Sequence, residues 1–431
     1  MNQKRSSELV RAVQLSLESK YTSQLIKSVS GDTAQMSSAC AHQSQIVMEP
    51  ITTRKVFVIY TGGTIAMLEN DEGNLAPVSK EVLTDWLFRH LLLYEKRPNE
   101  TEEQARERLT VEDGWLLLHQ KAVDNYNKDF KVLYQIESLD PPIDSSNMTP
   151  SQWFEIGDKI LAAKDDYDGF VILHGTDTMA YTSSALSFIL WDLKKPVILT
   201  GSQTPLFYPR SNAEDNFIGA LLMASCYSKN QFLQQVMIYD DTKLYQGNRV
   251  CKYDCDSFSV YDSPNAEPLA RLETRIKVRE CKPISEPKEL RVRASISGFP
   301  DVRLLKVFPG IKAEYVTSIL NGAHGLILET FGSGNAPDDP HLIAALKDAD
   351  ERGVVILNCT QVYKGTVLPI YDVSSELREA VVSGYDITPE AALAKMVWTL
   401  RTFPDQKTRK AVLEASICGE TSAPPAKLIF V

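Results

Sequence analysis

The sequence predicts an α/β protein of two domains, each built on a mainly parallel sheet, with the larger domain N-terminal and the smaller C-terminal. Three observations carry this: short apolar runs without polar alternation, helical periodicity between many of them, and a charged, proline-punctuated stretch that splits the alternation in two. At 431 residues the chain has ample length for more than one core.

Residues 1–50 are rich in Ser and Gln, yet Leu9, Val13, Leu17, Tyr21 and Leu25 recur every fourth position. That spacing predicts a helical tail. Strands are then expected at 56–60, 170–173, 196–199 and 236–239, and, in the second domain, at 304–308, 325–328 and 354–357. Helical spacing fills 182–193, 213–227, 313–320, 340–352 and 389–401, and alternation of this kind covers both faces of a parallel sheet. The first domain is expected over 51–270, a linker with some strand character over 271–300, and the second domain over 301–431. Residues 95–129 read as a charge-rich excursion with its own short helix and no evident chemistry.

Charge and composition exclude several functions. The chain carries 46 basic and 56 acidic side chains, a net charge of −10, so nucleic acid is not expected as a partner. No apolar run approaches the ~20 residues of a membrane span, and residues 1–30 lack the apolar core of a secretory signal. The seven cysteines are odd in number and free of CxxC spacing, which suits reduced thiols in the cytoplasm. The close pair Cys251 and Cys255 has no His or Cys cluster beside it, so no metal is expected.

In an open parallel sheet, ligands bind at the loops leaving the carboxyl ends of the strands. Here those loops are Thr61-Gly62-Gly63-Thr64, His174-Gly175-Thr176-Asp177-Thr178 and Thr200-Gly201-Ser202-Gln203-Thr204. Glycine lets backbone N–H groups approach an anion or a carbonyl oxygen, and threonine supplies a hydroxyl that attacks or orients. Each loop taken alone also reads as a turn or a helix cap. GxxxxGK[ST], GxGxxG, HExxH and GxSxG are all absent, which removes the corresponding nucleotide, zinc-peptidase and hydrolase-elbow motifs. A threonine-based site remains.

The segments Tyr60-Thr61-Gly62-Gly63-Thr64-Ile65-Ala66-Met67, Asp144-Ser145-Ser146-Asn147-Met148-Thr149-Pro150 and DGFVILHGTDTMAY (168–181) closely resemble the cytosolic type I L-asparaginases. So do Gly201-Ser202-Gln203, Leu244-Tyr245-Gln246-Gly247-Asn248-Arg249 and Gly332-Ser333-Gly334-Asn335-Ala336-Pro337, and the resemblance spans about residues 54 to 418. It implies a homodimer or homotetramer that hydrolyses L-asparagine to L-aspartate and ammonia without a cofactor. By the same resemblance Thr64 is the nucleophile, and Thr176, Asp177 and Lys252 form a second cluster in which an amine and a carboxylate polarise a hydroxyl. Gly63, Asp144, Ser145, Ser146 and Asp177 would hold the substrate, with Asn335 auxiliary. Two other readings share these motifs: an amidotransferase subunit that releases ammonia for a partner, and a non-catalytic asparagine or aspartate sensor.

Two positions depart from the family pattern. Where many relatives carry a lid tyrosine about ten residues after the nucleophile, this chain has Asn74. Where relatives with an activating asparagine site carry arginine, it has Glu329, whose carboxylate would repel an amino-acid carboxylate.

For the missing lid phenol the best candidate is Tyr371, in a segment that mammalian-type relatives bring near the nucleophile. Tyr371→Phe is therefore expected to lower kcat far more than thermal stability, while Asn74→Ala changes kcat little. Steady-state kinetics and a melting curve on both variants check this, and the opposite pattern would return the role to the lid.

Overall fold

The computed structural model describes residues 52–422, with breaks at 91, 98, 110–113, 125–129, 281–297 and 369–379. The expected tail helix and Tyr371 lie outside the described residues. From Pro50 onward the chain forms one compact unit.

The first sheet is nine-stranded. It is built from β1 (Thr52–Gly62), β4 (Leu116–Leu117), β5 (Phe130–Ile143), β6 (Gly169–Leu173), β7 (Val197–Thr200), β8 (Val236–Asp240), β9 (Lys243–Gln246), β12 (Ala270–Leu272) and β13 (Ile276–Val278). The order β13-β12-β9-β8-β7-β6-β1-β5-β4 has a parallel centre, β5-β1-β6-β7-β8, and antiparallel strands at both edges. Two two-stranded pieces complete this half: the hairpin of β2 (Met67–Glu69) and β3 (Leu75–Pro77), and the ribbon of β10 (Cys251–Lys252) and β11 (Tyr261–Asp262). The second domain holds β14 (Val302–Lys306), β15 (Gly325–Thr330), β16 (Val355–Thr360) and β17 (Val382–Ser383), parallel and in that order.

Helices follow in chain order: α1 (Lys80–Arg89), α2 (Glu102–Leu109), α3 (Gln120–Asp124), α4 (Pro150–Ala163), α5 (Met179–Ile189), α6 (Ala213–Ser225), α7 (Ala313–Leu320), α8 (Pro340–Glu351), α9 (Pro389–Thr402) and α10 (Gln406–Glu414). Three starts share one device, a capping side chain followed by proline. Thr149 forms a capping box with Gln152 before Pro150, Asp339 accepts from His341 N–H before Pro340, and Thr388 accepts from Ala391 N–H before Pro389. The cap satisfies an orphan N–H, and proline at the first turn forgoes a donor that would have no partner.

The central strands are apolar because both faces of the sheet are covered. Val56, Val58, Tyr60, Val171 and Leu173 join one core, with α6; Phe57, Ile59, Phe170 and Ile172 join the other, with α4 and α5. Strand β5 is absent from the sequence expectation. Its run FKVLYQIESLDPPI is largely alternating and half-buried, so it lacks the continuous apolar signal of its neighbours. Its place beside β1 has a functional consequence: the chain runs from β1 outward to β5, then crosses back over to β6. The sheet therefore has its topological switch point at β1 and β6, the strands that carry the first two glycine loops.

The excursion contains the expected helix, α2, and adds β4 to the sheet edge. Strands β12 and β13, inside the stretch read as a linker, pair within the first sheet; residues 281–297 lie outside the described residues.

The two domains meet through α5 and α9, where Phe188 stacks on Trp398 at 5.7 Å. A polar junction lies beside them. Arg249, 4% exposed, donates to both carboxylate oxygens of Asp386, at 2.7 and 3.2 Å, and to the Glu420 carbonyl at 2.8 Å. Gln246 and Asn248 donate to the Cys418 carbonyl, so residues 417–422 run as a strap across the first domain's Gln246–Arg249 turn. Burial alone would raise the Asp386 carboxyl, but Arg249 and Ser422 outweigh it and hold the group well below the usual carboxylate range.

The strap is anchored by an ion pair with no solvent exposure, Lys395 Nζ to Glu420 Oε1 at 2.7 Å. The amine also donates to the Leu413 carbonyl, and Glu420 accepts from the Ile417 and Cys418 N–H groups. Removing one partner strands the other charge, so Lys395→Met is expected to cost about 3–5 kcal/mol of stability, with part of the loss recovered in Lys395→Met/Glu420→Gln. Chemical denaturation of the three proteins measures this; a single variant as stable as the parent would contradict it.

Candidate active site

The loops at the switch point are in backbone contact. A side-chain carbon on Gly63 would fall 2.2 Å from the Gly175 nitrogen, and one on Gly175 would fall 2.5 Å from Ser145 Oγ. Likewise a carbon on Gly62 would overlap the Ile143 carbonyl, and one on Gly201 the His174 carbonyl, at 2.4 Å. Gly62 and Gly63 also have positive φ, 114° and 81°, a region that disfavours other residues. Four segments thus converge where no Cβ fits: the loops after β1, β5, β6 and β7. Hydroxyls tie them further, Thr61 to the Leu173 carbonyl at 3.0 Å and Thr178 to the Ser145 carbonyl at 2.7 Å.

Thr64 opens a short 3-10 turn (Thr64–Ala66) directly after Gly63 and is half-buried. Across from Gly63, Gly175 leads into Thr176, 5% exposed, and Asp177, whose side chain is open to solvent. Lys252 reaches this loop from β10. Its Nζ donates to Thr176 Oγ1 at 3.0 Å and to Asp177 Oδ1 at 2.6 Å. Only the family resemblance singles out Lys252, and the geometry joins it to both expected partners.

A fourth member was not assigned a role from sequence. Thr176 donates its hydroxyl to Gln203 Oε1 at 3.0 Å, and the Gln203 amide donates to the Cys255 carbonyl at 2.8 Å. The hydroxyl therefore accepts from an amine and gives its proton to an amide oxygen, which fixes both its lone pair and its hydrogen. The signal was present, since Gln203 follows Gly201-Ser202 in a glycine–hydroxyl loop.

Ser145 is buried against Gly175, whereas Ser146 is exposed and gives both its N–H, at 2.8 Å, and its hydroxyl, at 2.7 Å, to Asp144 Oδ1. Asp144 thus caps the short turn that presents the two serines. Asn335 lies elsewhere, in the second domain, where its backbone and that of Phe331 close a turn after β15. Asn74 sits exposed at the tip of the β2–β3 hairpin, its N–H on Asn70 Oδ1 at 2.9 Å. Glu329 is 8% exposed on β15, opposite Lys306, whose Nζ is 3.9 Å away; burial raises its carboxyl and Lys306 counters part of that.

A two-domain α/β chain with a hydroxyl, amine and carboxylate cluster at its switch point has known relatives. The family model described as Asparaginase, N-terminal, matches residues 55–283, and that described as Glutaminase/Asparaginase C-terminal domain matches 301–413. L-asparaginase 1 of Escherichia coli is 35% identical over 370 residues, covering 85% of this chain and 98% of the relative. The 60 kDa lysophospholipase of Mus musculus is 35% identical over 382 residues, 88% of this chain but 64% of that protein, so the chain spans less than two thirds of this longer relative. The crystal structure of L-asparaginase I from Vibrio cholerae superposes with a TM-score of 0.66 at 34% identity, covering 86% of this chain and 100% of that one. The chain belongs to the asparaginase family.

Two buried groups beneath the loops titrate in opposite senses. His174 accepts the Thr182 hydroxyl at Nε2, 2.9 Å, and gives its Nδ1–H to the Gly175 carbonyl, 2.7 Å; burial lowers it from 6.5 to about 4. It thus contributes stability that is complete above pH 6.5 and lost as pH falls through about 4. Asp240 is raised by burial from 3.8 to about 6, against the pull of the Val260 and Tyr261 N–H groups. Its contribution is present below 3.8 and lost as pH rises through about 6. Each amounts to roughly 3 kcal/mol, so between pH 4 and 6 they largely offset. On acidification from pH 7 to 4, the stability of His174→Gln relative to parent is expected to rise by about that amount, and that of Asp240→Asn to fall. Denaturant titrations across this range would refute the assignment if both differences stayed flat.

Proposed function

We propose that the protein hydrolyses the side-chain amide of L-asparagine to L-aspartate and ammonia, with Thr64 as nucleophile. The observation that carries this reading is Lys252 Nζ held between Thr176 Oγ1 and Asp177 Oδ1 where the glycine loops converge. An amide is a poor electrophile and a threonine hydroxyl a weak nucleophile, so the site must activate one and stabilise the oxyanion formed from the other.

Thr64 Oγ bonds to the amide carbon, its proton passes through the Thr176–Lys252–Asp177 cluster to the departing nitrogen, and ammonia leaves as the C–N bond breaks. Water then cleaves the Thr64 ester, returning the hydroxyl and releasing L-aspartate. Backbone N–H groups near Gly63 and Thr176 serve the oxyanion. The exposed oxygens of Asp177 take the α-ammonium, and Ser145 and Ser146, oriented by Asp144, take the α-carboxylate.

The reacting and orienting groups are hydroxyls, an amine and a carboxylate, which need neither metal nor organic cofactor. A cytoplasmic homodimer or homotetramer fits the scattered cysteines and the family resemblance. Glu329 in place of arginine supports weak or absent activation by asparagine.

Ammonia release from L-Asn, L-Gln and D-Asn, assayed side by side, tests the reading. L-Asn is expected to be hydrolysed with nearly hyperbolic saturation. Thr64→Ala and Thr176→Ala are each expected to lower kcat about a thousandfold or more with the fold intact. A variant that keeps near-parental kcat would remove its residue from the mechanism.

A further inference from the structure

The position of the Lys252 amine is only as fixed as the two-residue strand that carries it. Among the described residues β10 pairs with β11 alone, Lys252 standing opposite Tyr261 and Cys251 opposite Asp262. Of the connecting residues, 255–257 are exposed, and the Cys255 carbonyl meets the body by accepting from the Gln203 amide.

The ribbon's buried anchor is Tyr261, 1% exposed. Its phenol donates to the backbone carbonyl of Thr176, the residue whose hydroxyl receives the Lys252 amine. A closed circuit results: Thr176 Oγ1 to Lys252 Nζ, the Lys252 backbone to its strand partner Tyr261, and the Tyr261 hydroxyl back to the Thr176 carbonyl.

The carbonyl matters because a peptide unit is planar: fixing the Thr176 oxygen also fixes the Asp177 N–H and the Asp177 Cα from which its side chain departs. Two further bonds brace the ribbon. The Tyr245 phenol donates to the Tyr261 carbonyl at 3.1 Å, and Asp240 Oδ2 accepts from Val260 and Tyr261 N–H at 2.9 and 3.2 Å. Burial raises the Tyr261 phenol well above its ordinary value, so it remains a donor throughout the working pH range.

We propose that Tyr261 is a positioning residue that sets the reach of Lys252 Nζ to Thr176 Oγ1 and Asp177 through its hydroxyl's hydrogen bond to the Thr176 carbonyl. This rests on the catalytic reading above. A buried tyrosine that merely fills the core would contribute through its ring, whereas this role belongs to the oxygen.

Tyr261→Phe removes only that oxygen. It is expected to lower kcat for L-asparagine about tenfold, with KM within threefold of the parent and the alkaline or acid limb of the pH–rate profile displaced, because the amine no longer meets its partners squarely. Tyr245→Phe, one hydrogen bond further out, should lower kcat less for a similar change in melting temperature.

The decisive comparison is a double-mutant cycle with Lys252→Met. If Tyr261 acts through the amine, adding Tyr261→Phe to Lys252→Met causes no further loss. Independent, multiplicative losses would overturn the proposal, as would a kcat for Tyr261→Phe within twofold of the parent while Lys252→Met is crippled. Near-parental activity in Lys252→Met would overturn the catalytic reading and the proposal together. Should Tyr261→Phe fail to fold, Asp240→Ala removes the acceptor that braces the ribbon on its other side and must show the same non-additivity with Lys252→Met.

Discussion

The site depends on a contact between two stretches of bare backbone. Gly63 and Gly175 lie so close that a side-chain carbon on either would overlap its neighbours. Each glycine immediately precedes a threonine, so the contact sets Thr64 and Thr176 on two adjoining loops. The parallel strands β1 and β6 deliver those glycines in register, Tyr60 beside Leu173 at their carboxyl ends. Hydrophobic burial fixes the strands, the strands fix the loops, and the missing Cβ atoms permit the final approach.

Much of this was legible in the sequence, for identifiable reasons. Strands β6, β7 and β8 are buried along their whole length and announce themselves as unbroken apolar runs. Helices α8 and α9 carry the expected helical spacing and also begin with a polar cap and a proline. Strand β5 escaped because its alternation reflects a mixed environment near the sheet edge, and the short antiparallel strands β9, β12 and β13 owe their conformation to partners distant in sequence. At the site, Thr64, Thr176 and Asp177 lie in motif loops and could be read directly, whereas Lys252 was recoverable only through family resemblance. Tyr261, Asp240 and His174 act through bonds to residues brought near by folding, and local sequence carries no mark of such bonds.

The second domain reaches the first domain's chemistry through the same short segment. Arg249 is clamped to Asp386 and to the strap, and three residues later the chain presents Lys252. The amine is thus held from two directions, by the domain junction through Arg249 and by the threonine loop through Tyr261. A lysine side chain has several rotatable bonds, and confining its root at both ends limits the arc its nitrogen can sweep.

The strap also imposes an order in time. Residues 417–422 complete the surroundings of Arg249, yet they leave the ribosome some 170 residues after it. Until then the first domain can assemble its sheet and threonine loops but lacks the carbonyls that receive the Gln246, Asn248 and Arg249 side chains. A nascent chain therefore carries the threonine loops before the segment that bears Lys252 gains its second-domain brace.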